Sequence, residues 1–269
     1  MKDKRVLYVS SEVIPYLPET EISSMSFEAP RMVNSKKGQI RIFMPRFGNI
    51  NERRHQLHEV IRLSGMNLVI NDMDVPLIIK VASIPKERMQ VYFIDNDEYF
   101  KRKATYGDED GNFFDDNDER AIFFAKGVIE TVKKLNWSPD IIHVHGWLAS
   151  FLPLYLRKYY DKDPLFENSK IITSVYKKGF DGKLNEKIID KIVFDGIQPE
   201  HLKELKEPNY TNLMKLAIKY SDAVIEGSKE IPEDLQEYLN ELEIPMLKYH
   251  KKEEISPAYL DFYLQDVLS

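Results

Sequence analysis

Three groups of residues have the types and spacing to do chemistry. His143 and His145 stand two apart in DIIHVHGW, residues 140–147, so a strand there puts both on one face. Two imidazoles on one face can share a metal, but no convincing third ligand lies nearby, and a hydrogen-bonding role is the better reading. The segment 101–118, KRKATYGDEDGNFFDDND, carries Asp108, Asp110, Asp115, Asp116 and Asp118. No Glu closes it at calcium-loop spacing and aromatic residues interrupt the alternation, so a solvated acidic loop is expected. Glu19 and Glu21 follow the first predicted strand, where a phosphate loop needs glycine and a cation; residues 16–25 contain neither glycine nor lysine. Acids there repel a phosphate and instead suit the positive end of a helix. No metal site, cofactor or catalytic residue is assigned from these groups.

The elements that position these residues follow from periodicity. Val6–Val9 is a short apolar run, the pattern of a strand covered on both faces. In open α/β sheets ligands bind beyond the carboxyl ends of such strands. Ile22, Met25, Ala29, Met32 and Val33 recur at helical spacing up to Gly38, with Pro30 either kinking that helix or placed in the first turn of a restart near Glu28. Ile40–Met44 predicts a second strand. Residues of about 55–90 form β-rich runs separated by SG, ND and IPKE turns, which predicts a hairpin insertion before the sheet resumes at Val91–Ile94. A helix is expected over Glu119–Leu135, a strand ending at His145, a helix over Leu148–Tyr160, and a strand over Ile171–Val175. Residues 176–208 are locally helical at best. Helix and strand then alternate through Tyr210–Tyr220, Asp222–Ile225, Glu230–Leu242 and residues 244–249. Ser256 is placed as N-cap, with Pro257 at the first helical position, of a last helix reaching Leu268. The alternation predicts an α/β fold with a doubly wound, mostly parallel sheet, and one domain over 1–269.

Composition narrows the function classes. The 269 residues carry a net charge of -6, against nucleic acid as the main partner. There is no cysteine, so thiol catalysis, disulfides and thiolate metal sites are excluded. The basic start MKDKR is followed by an apolar run too short for a secretory signal, and no spanning segment follows. A cytoplasmic protein without a membrane partner is expected.

Several motifs, taken in order, resemble the N-terminal domain of bacterial glycogen synthases and plant starch synthases. They are VLYVSSEVIPY, MPRFGNI, YGDEDGNFFDDNDERAIFF, PDIIHVHGWLASFLPLYL and, more faintly, YSDAVIEGS. The resemblance implies one half of a two-domain GT-B glycosyltransferase, a Rossmann-like domain. In that family ADP-glucose donates glucose to the nonreducing end of an α-1,4-glucan with retention, in a cleft between two domains. Most nucleotide-sugar contacts come from the C-terminal half, which a chain about one domain long is expected not to carry.

The family's own motif residues are replaced in this half too. Its Lys-Thr-Gly-Gly-Leu loop reads Pro18, Glu19, Thr20, Glu21 and Ile22; its Asp-Trp-His motif reads Gly146, Trp147 and Leu148; its Thr-Ile-His-Asn motif reads Thr173, Ser174, Val175 and Tyr176. A phosphate-facing lysine, a cleft aspartate and a sugar-contacting histidine are thereby lost. Tyr16, Tyr106, Asn117, Arg120, His145 and Trp147 match family positions and suit a glucan face. The alternative packs Trp147 in the core, pairs Arg120 with an acid of its own loop and satisfies His145 internally; that alternative is favoured. The resemblance implies a non-catalytic domain, a pseudoenzyme, that binds an α-glucan or a partner. The second expectation is the N-terminal half of a split glucosyltransferase completed by a separate chain carrying the C-terminal half. A hydrolase is disfavoured because no nucleophile elbow or triad is present.

Overall fold

A computed structural model describes residues 1–251 and 254–269. Ten strands, β1 (Arg5–Ser10), β2 (Gln39–Pro45), β3 (His58–Glu59), β4 (Met66–Ile70), β5 (Met73–Ile84), β6 (Met89–Asp95), β7 (Ile141–His145), β8 (Lys170–Val175), β9 (Ala223–Glu226) and β10 (Met246–Leu247), form the sheet. Its order is β10-β9-β8-β7-β1-β2-β6-β5-β3, with β4 paired to β5. From β10 to β6 every pairing is parallel; β3 and β4 join β5, and β5 joins β6, in antiparallel register. Burial follows from this. Val6, Leu7, Tyr8 and Val9 of β1 are all buried, because both faces are covered, whereas β5 alternates over much of its length with one side toward solvent.

The helices are α1 (Glu21–Ser35), α2 (Glu52–His55), α3 (Asp97–Phe100), α4 (Asn117–Lys134), α5 (Leu152–Lys158), α6 (Ile188–Phe194), α7 (Tyr210–Lys219), α8 (Glu233–Asn240) and α9 (Ile255–Asp261). α1 packs on β1 and β2, with α9 beside it. It is one helix through Pro30, without a restart near Glu28; proline has no N–H for the Ser26 carbonyl, and the Ser26 side chain separately meets Ser10 Oγ at 2.7 Å. Three ion pairs tie α4 to the 184–208 region, which contains α6: Lys191 with Asp118 at 2.7 Å and with Glu119 at 2.9 Å, and Lys126 with Asp195 at 2.6 Å. Asp118 is therefore not part of a solvated loop. α4 starts two residues before the expected Glu119 and carries Asp118 into the interior.

The last helix also differs from expectation. It begins at Ile255, with Ser256 inside it and no side-chain cap, and passes into a π-helical turn over Phe262–Val267. Tyr259 and Tyr263 on this helix are buried against the sheet, and that packing, not a cap, holds it. No helix among the described residues is long and apolar enough to cross a membrane.

Candidate functional site at the β1–β7 switch point

The chain runs from β1 outward through β2 to β6, then returns to the other side of β1 at β7 and continues outward through β8 and β9. Strand order thus reverses between β1 and β7, and the crevice outside their carboxyl ends is where such sheets hold ligands. A hollow of about 400 Å³ lies there, lined among others by Glu12, Thr20, Glu21, Tyr106, Trp147 and Tyr176.

One wall comes from the loop between β1 and α1. Thr20 caps α1: its hydroxyl accepts from the Ser23 amide at 3.0 Å, and its own amide donates to Ser23 Oγ at 2.8 Å. The Thr20 hydroxyl in turn donates to Glu12 Oε2 at 2.7 Å. Glu21 Oε2 accepts from the Ser228 hydroxyl at 2.5 Å, and Glu19 is exposed. The Ser23 and Ser24 amides at this helix start are thus engaged by Thr20, and the nearby side chains are carboxylates, not cations. Pro18 contributes a carbonyl that accepts from Ser23 Oγ at 2.9 Å.

The second wall is aromatic. Trp147, 3% exposed, is packed by Tyr106 at 4.8 Å, Phe180 at 4.9 Å and Phe113 at 5.6 Å between ring centres. Its indole Nε1 is buried and has no partner among the described residues. Tyr106 is half-buried and its hydroxyl points at Glu12 Oε1, 3.5 Å away. Burial, reinforced by that carboxylate, holds the phenol well above its ordinary range, so it remains a donor.

His143 and His145 lie beneath this hollow. Register pairs Tyr8 with His143 and Ser10 with His145. His143 Nδ1 meets Tyr263 Oη at 2.6 Å and its Nε2 meets Ser174 Oγ at 2.7 Å. His145 Nδ1 meets Tyr176 Oη at 2.7 Å, while its Nε2 is buried without a partner among the described residues. The rings are 3.9 Å apart. Burial drives His143 well below 6.5, helped by His145, and lowers His145 to about 3, so both are neutral. Such rings act as hydrogen-bonding groups, not as charged acids.

Of the six residues matched to a glucan face, the structure brings Tyr106 and Trp147 to the hollow and places the others elsewhere. Tyr16 is buried edge-on to Phe93 at 4.9 Å and His55 at 5.1 Å. Asn117 donates to the Tyr106 carbonyl at 2.8 Å, which holds the aromatic wall in place from behind. Arg120 is fully buried and does not pair with an acid of its loop. It donates to the carbonyls of Tyr99 at 2.8 Å and Thr105 at 2.7 Å and to Asn117 Oδ1, because α4 aims it at backbone oxygens between Phe47, Phe100 and Phe114. Burial lowers its pKa to about 10, and it stays charged at neutral pH. Leu148 and Val175 are core residues. Gly146 has φ +80, and a Cβ there would overlap Ser11 Oγ. Sequence reasoning missed two residues of this region. Glu12, in the lining, had a signal, since it stands two residues after β1; Tyr263, which holds His143, had none, because that contact spans 120 residues.

The sequence pattern of the starch synthase catalytic domain family matches residues 5–244. The chain belongs to this family. The glycogen synthase of Chlorobaculum parvum is 36% identical over 228 residues, 83% of this chain and 45% of that protein. That of Chlorobium phaeobacteroides is 32% identical over 237 residues, 86% of this chain and 47% of that protein. The chain therefore spans about half the length of the curated glycogen synthases it matches. The catalytic domain of starch synthase IV from Arabidopsis thaliana, solved with ADP and acarbose, superposes with a TM-score of 0.67 at 18% identity, over 83% of this chain and 45% of that one. That likeness establishes the Rossmann-like fold shared with one part of a GT-B starch synthase. The family match ends before α9, so Tyr259 and Tyr263 lie outside it.

Proposed function

We propose that this glycogen/starch-synthase-like glycosyltransferase-family domain does not transfer glucose by itself and serves, in the cytoplasm, as an α-glucan-binding module. The observation that carries the reading is the make-up of the switch-point hollow. Tyr106 and Trp147 give it an aromatic wall with an unpaired indole donor, while Glu12 and Glu21 occupy the wall where a departing diphosphate would need cations. Aromatic faces with hydrogen-bonding groups hold sugar rings; two carboxylates against one lining lysine, Lys178, leave a diphosphate leaving group without net cationic stabilisation.

The test is transfer. Purified chain incubated with ADP-glucose labelled in its glucosyl group, together with glycogen, is expected to leave no label in the polymer; incorporation above a protein-free control contradicts the proposal. A second reading draws on the family match, which aligns this chain with one part, 45%, of a curated glycogen synthase. It makes the chain the N-terminal half of a split glucosyltransferase. Transfer then arises only when a separate chain carrying the C-terminal half is added.

A further inference from the structure

Trp147 is partly covered by one short segment, residues 178–183, through the side chain of Phe180. That ring meets the indole edge-to-face with 4.9 Å between ring centres, stacks on Phe113 at 5.0 Å and lies 6.1 Å from the Tyr210 ring. Phe180 is half-buried and is the only apolar side chain of the segment, whose Lys178, Asp181, Gly182 and Lys183 are exposed. The segment belongs to no helix or strand and makes no backbone–backbone hydrogen bond among the described residues. It is tied at its ends instead. The Lys177 amide donates to Ser228 Oγ at 2.9 Å, the Leu184 amide donates to the Pro208 carbonyl at 2.9 Å, and Lys183 pairs with Glu207. Gly179 lies so close to Tyr210 that a Cβ would overlap its ring.

The same segment divides the cleft. Trp147 lines the switch-point hollow, Phe180 lines a neighbouring hollow of about 740 Å³ that reaches Asn209 and Thr211, and Lys178 and Gly179 line both. A span fixed at both ends and held between them by one aromatic side chain opens or closes with that side chain. We propose that residues 178–183 form a lid latched by Phe180, which an α-glucan chain displaces as it runs from the Trp147 side into the neighbouring hollow. Withdrawal of the ring uncovers part of the indole and removes the partition, while the ties at Lys177 and Leu184 stay in place. A closed latch lowers apparent affinity by the fraction of molecules that are open, so loosening it tightens binding without adding a contact. The proposal rests on the carbohydrate reading of the cleft given above.

Calorimetric titration of the parent, Phe180→Leu and Phe180→Ala with maltoheptaose and with maltose tests it. Phe180→Ala is expected to bind maltoheptaose roughly tenfold tighter than the parent, with Phe180→Leu between them. The gain for maltose is expected to be smaller, because a disaccharide does not reach across the position of the removed ring. Phe180 sits on an exposed segment, so both variants are expected to fold, which their melting temperatures check. A second readout needs no sugar. The chain has two tryptophans, so in a Trp137→Phe background Trp147 alone emits, and Phe180→Ala is expected to raise the quenching of that emission by acrylamide. Unchanged quenching overturns the proposal, since other residues then cover the indole. Maltoheptaose binding by Phe180→Ala that is equal to or weaker than the parent's overturns it while leaving the carbohydrate reading intact. An equal gain for maltose also overturns it, because the glucan then stays within one hollow. If neither the parent nor the variants bind maltoheptaose, the lid and the carbohydrate reading both fall.

Discussion

At the scale of single residues, the replacements in this chain are coupled to their surroundings. Gly146, which the resemblance sets against an aspartate, has φ +80 and Ser11 Oγ in the space of a Cβ. Restoring the family residue therefore does not restore its function. Gly146→Asp is expected to cost about 2 kcal/mol or more in unfolding free energy, read from urea denaturation, through backbone strain and overpacking. A variant as stable as the parent contradicts that account. The buried histidines make a pH prediction. Folded, both stay neutral, with His145 lowered to about 3 and His143 well below 6.5. Unfolded, they titrate near their ordinary value, so below about pH 6.5 the unfolded chain takes up protons that the folded chain does not. Stability from this source is complete above that pH and is lost as pH falls toward the folded values, by about 1.4 kcal/mol per pH unit for each ring. Urea midpoints at about pH 7.5 and 5.5 measure it, and a flat profile over that interval contradicts neutral burial.

At the scale of elements, α9 and the π-helical turn that continues it lie beyond the family match over residues 5–244. Tyr263 of that turn nevertheless meets His143 Nδ1 at 2.6 Å and lies 3.4 Å from the Tyr8 hydroxyl. Tyr263→Phe removes the partner of a buried ring nitrogen while keeping the ring's volume. The expected loss is about 1–3 kcal/mol of unfolding free energy. No loss would mean that His143 is satisfied without α9. Elements were also where sequence reading worked best. The strands from Val6–Val9 to Asp222–Ile225 were legible because burial on both faces leaves uncharged apolar runs, and α4 because its stripe is long. Ser256 misled, because a good capping residue was read locally, while the helix starts where Ile255, Tyr259 and Phe262 reach the core. Arg120 misled likewise: acids adjacent in sequence suggested an ion pair, but α4 directs the side chain to backbone carbonyls.

At the scale of the whole molecule, strand order sets the site. The reversal between β1 and β7 brings together residues as far apart as Glu12, Tyr106, Trp147 and Tyr176. Tyr106 and Trp147 were nameable beforehand through family motifs. The partnership of Glu12 with Thr20, and of His143 with Tyr263, was not, since neither follows from periodicity. Under the proposed function, the acidic wall on the α1 side and the aromatic wall favour a polyhydroxyl ligand over a nucleotide diphosphate. Calorimetric titration of the chain with maltoheptaose and, separately, with ADP-glucose tests this most directly. The account predicts saturable heat with maltoheptaose and none with ADP-glucose. Saturable binding of ADP-glucose, or no binding of maltoheptaose, contradicts it.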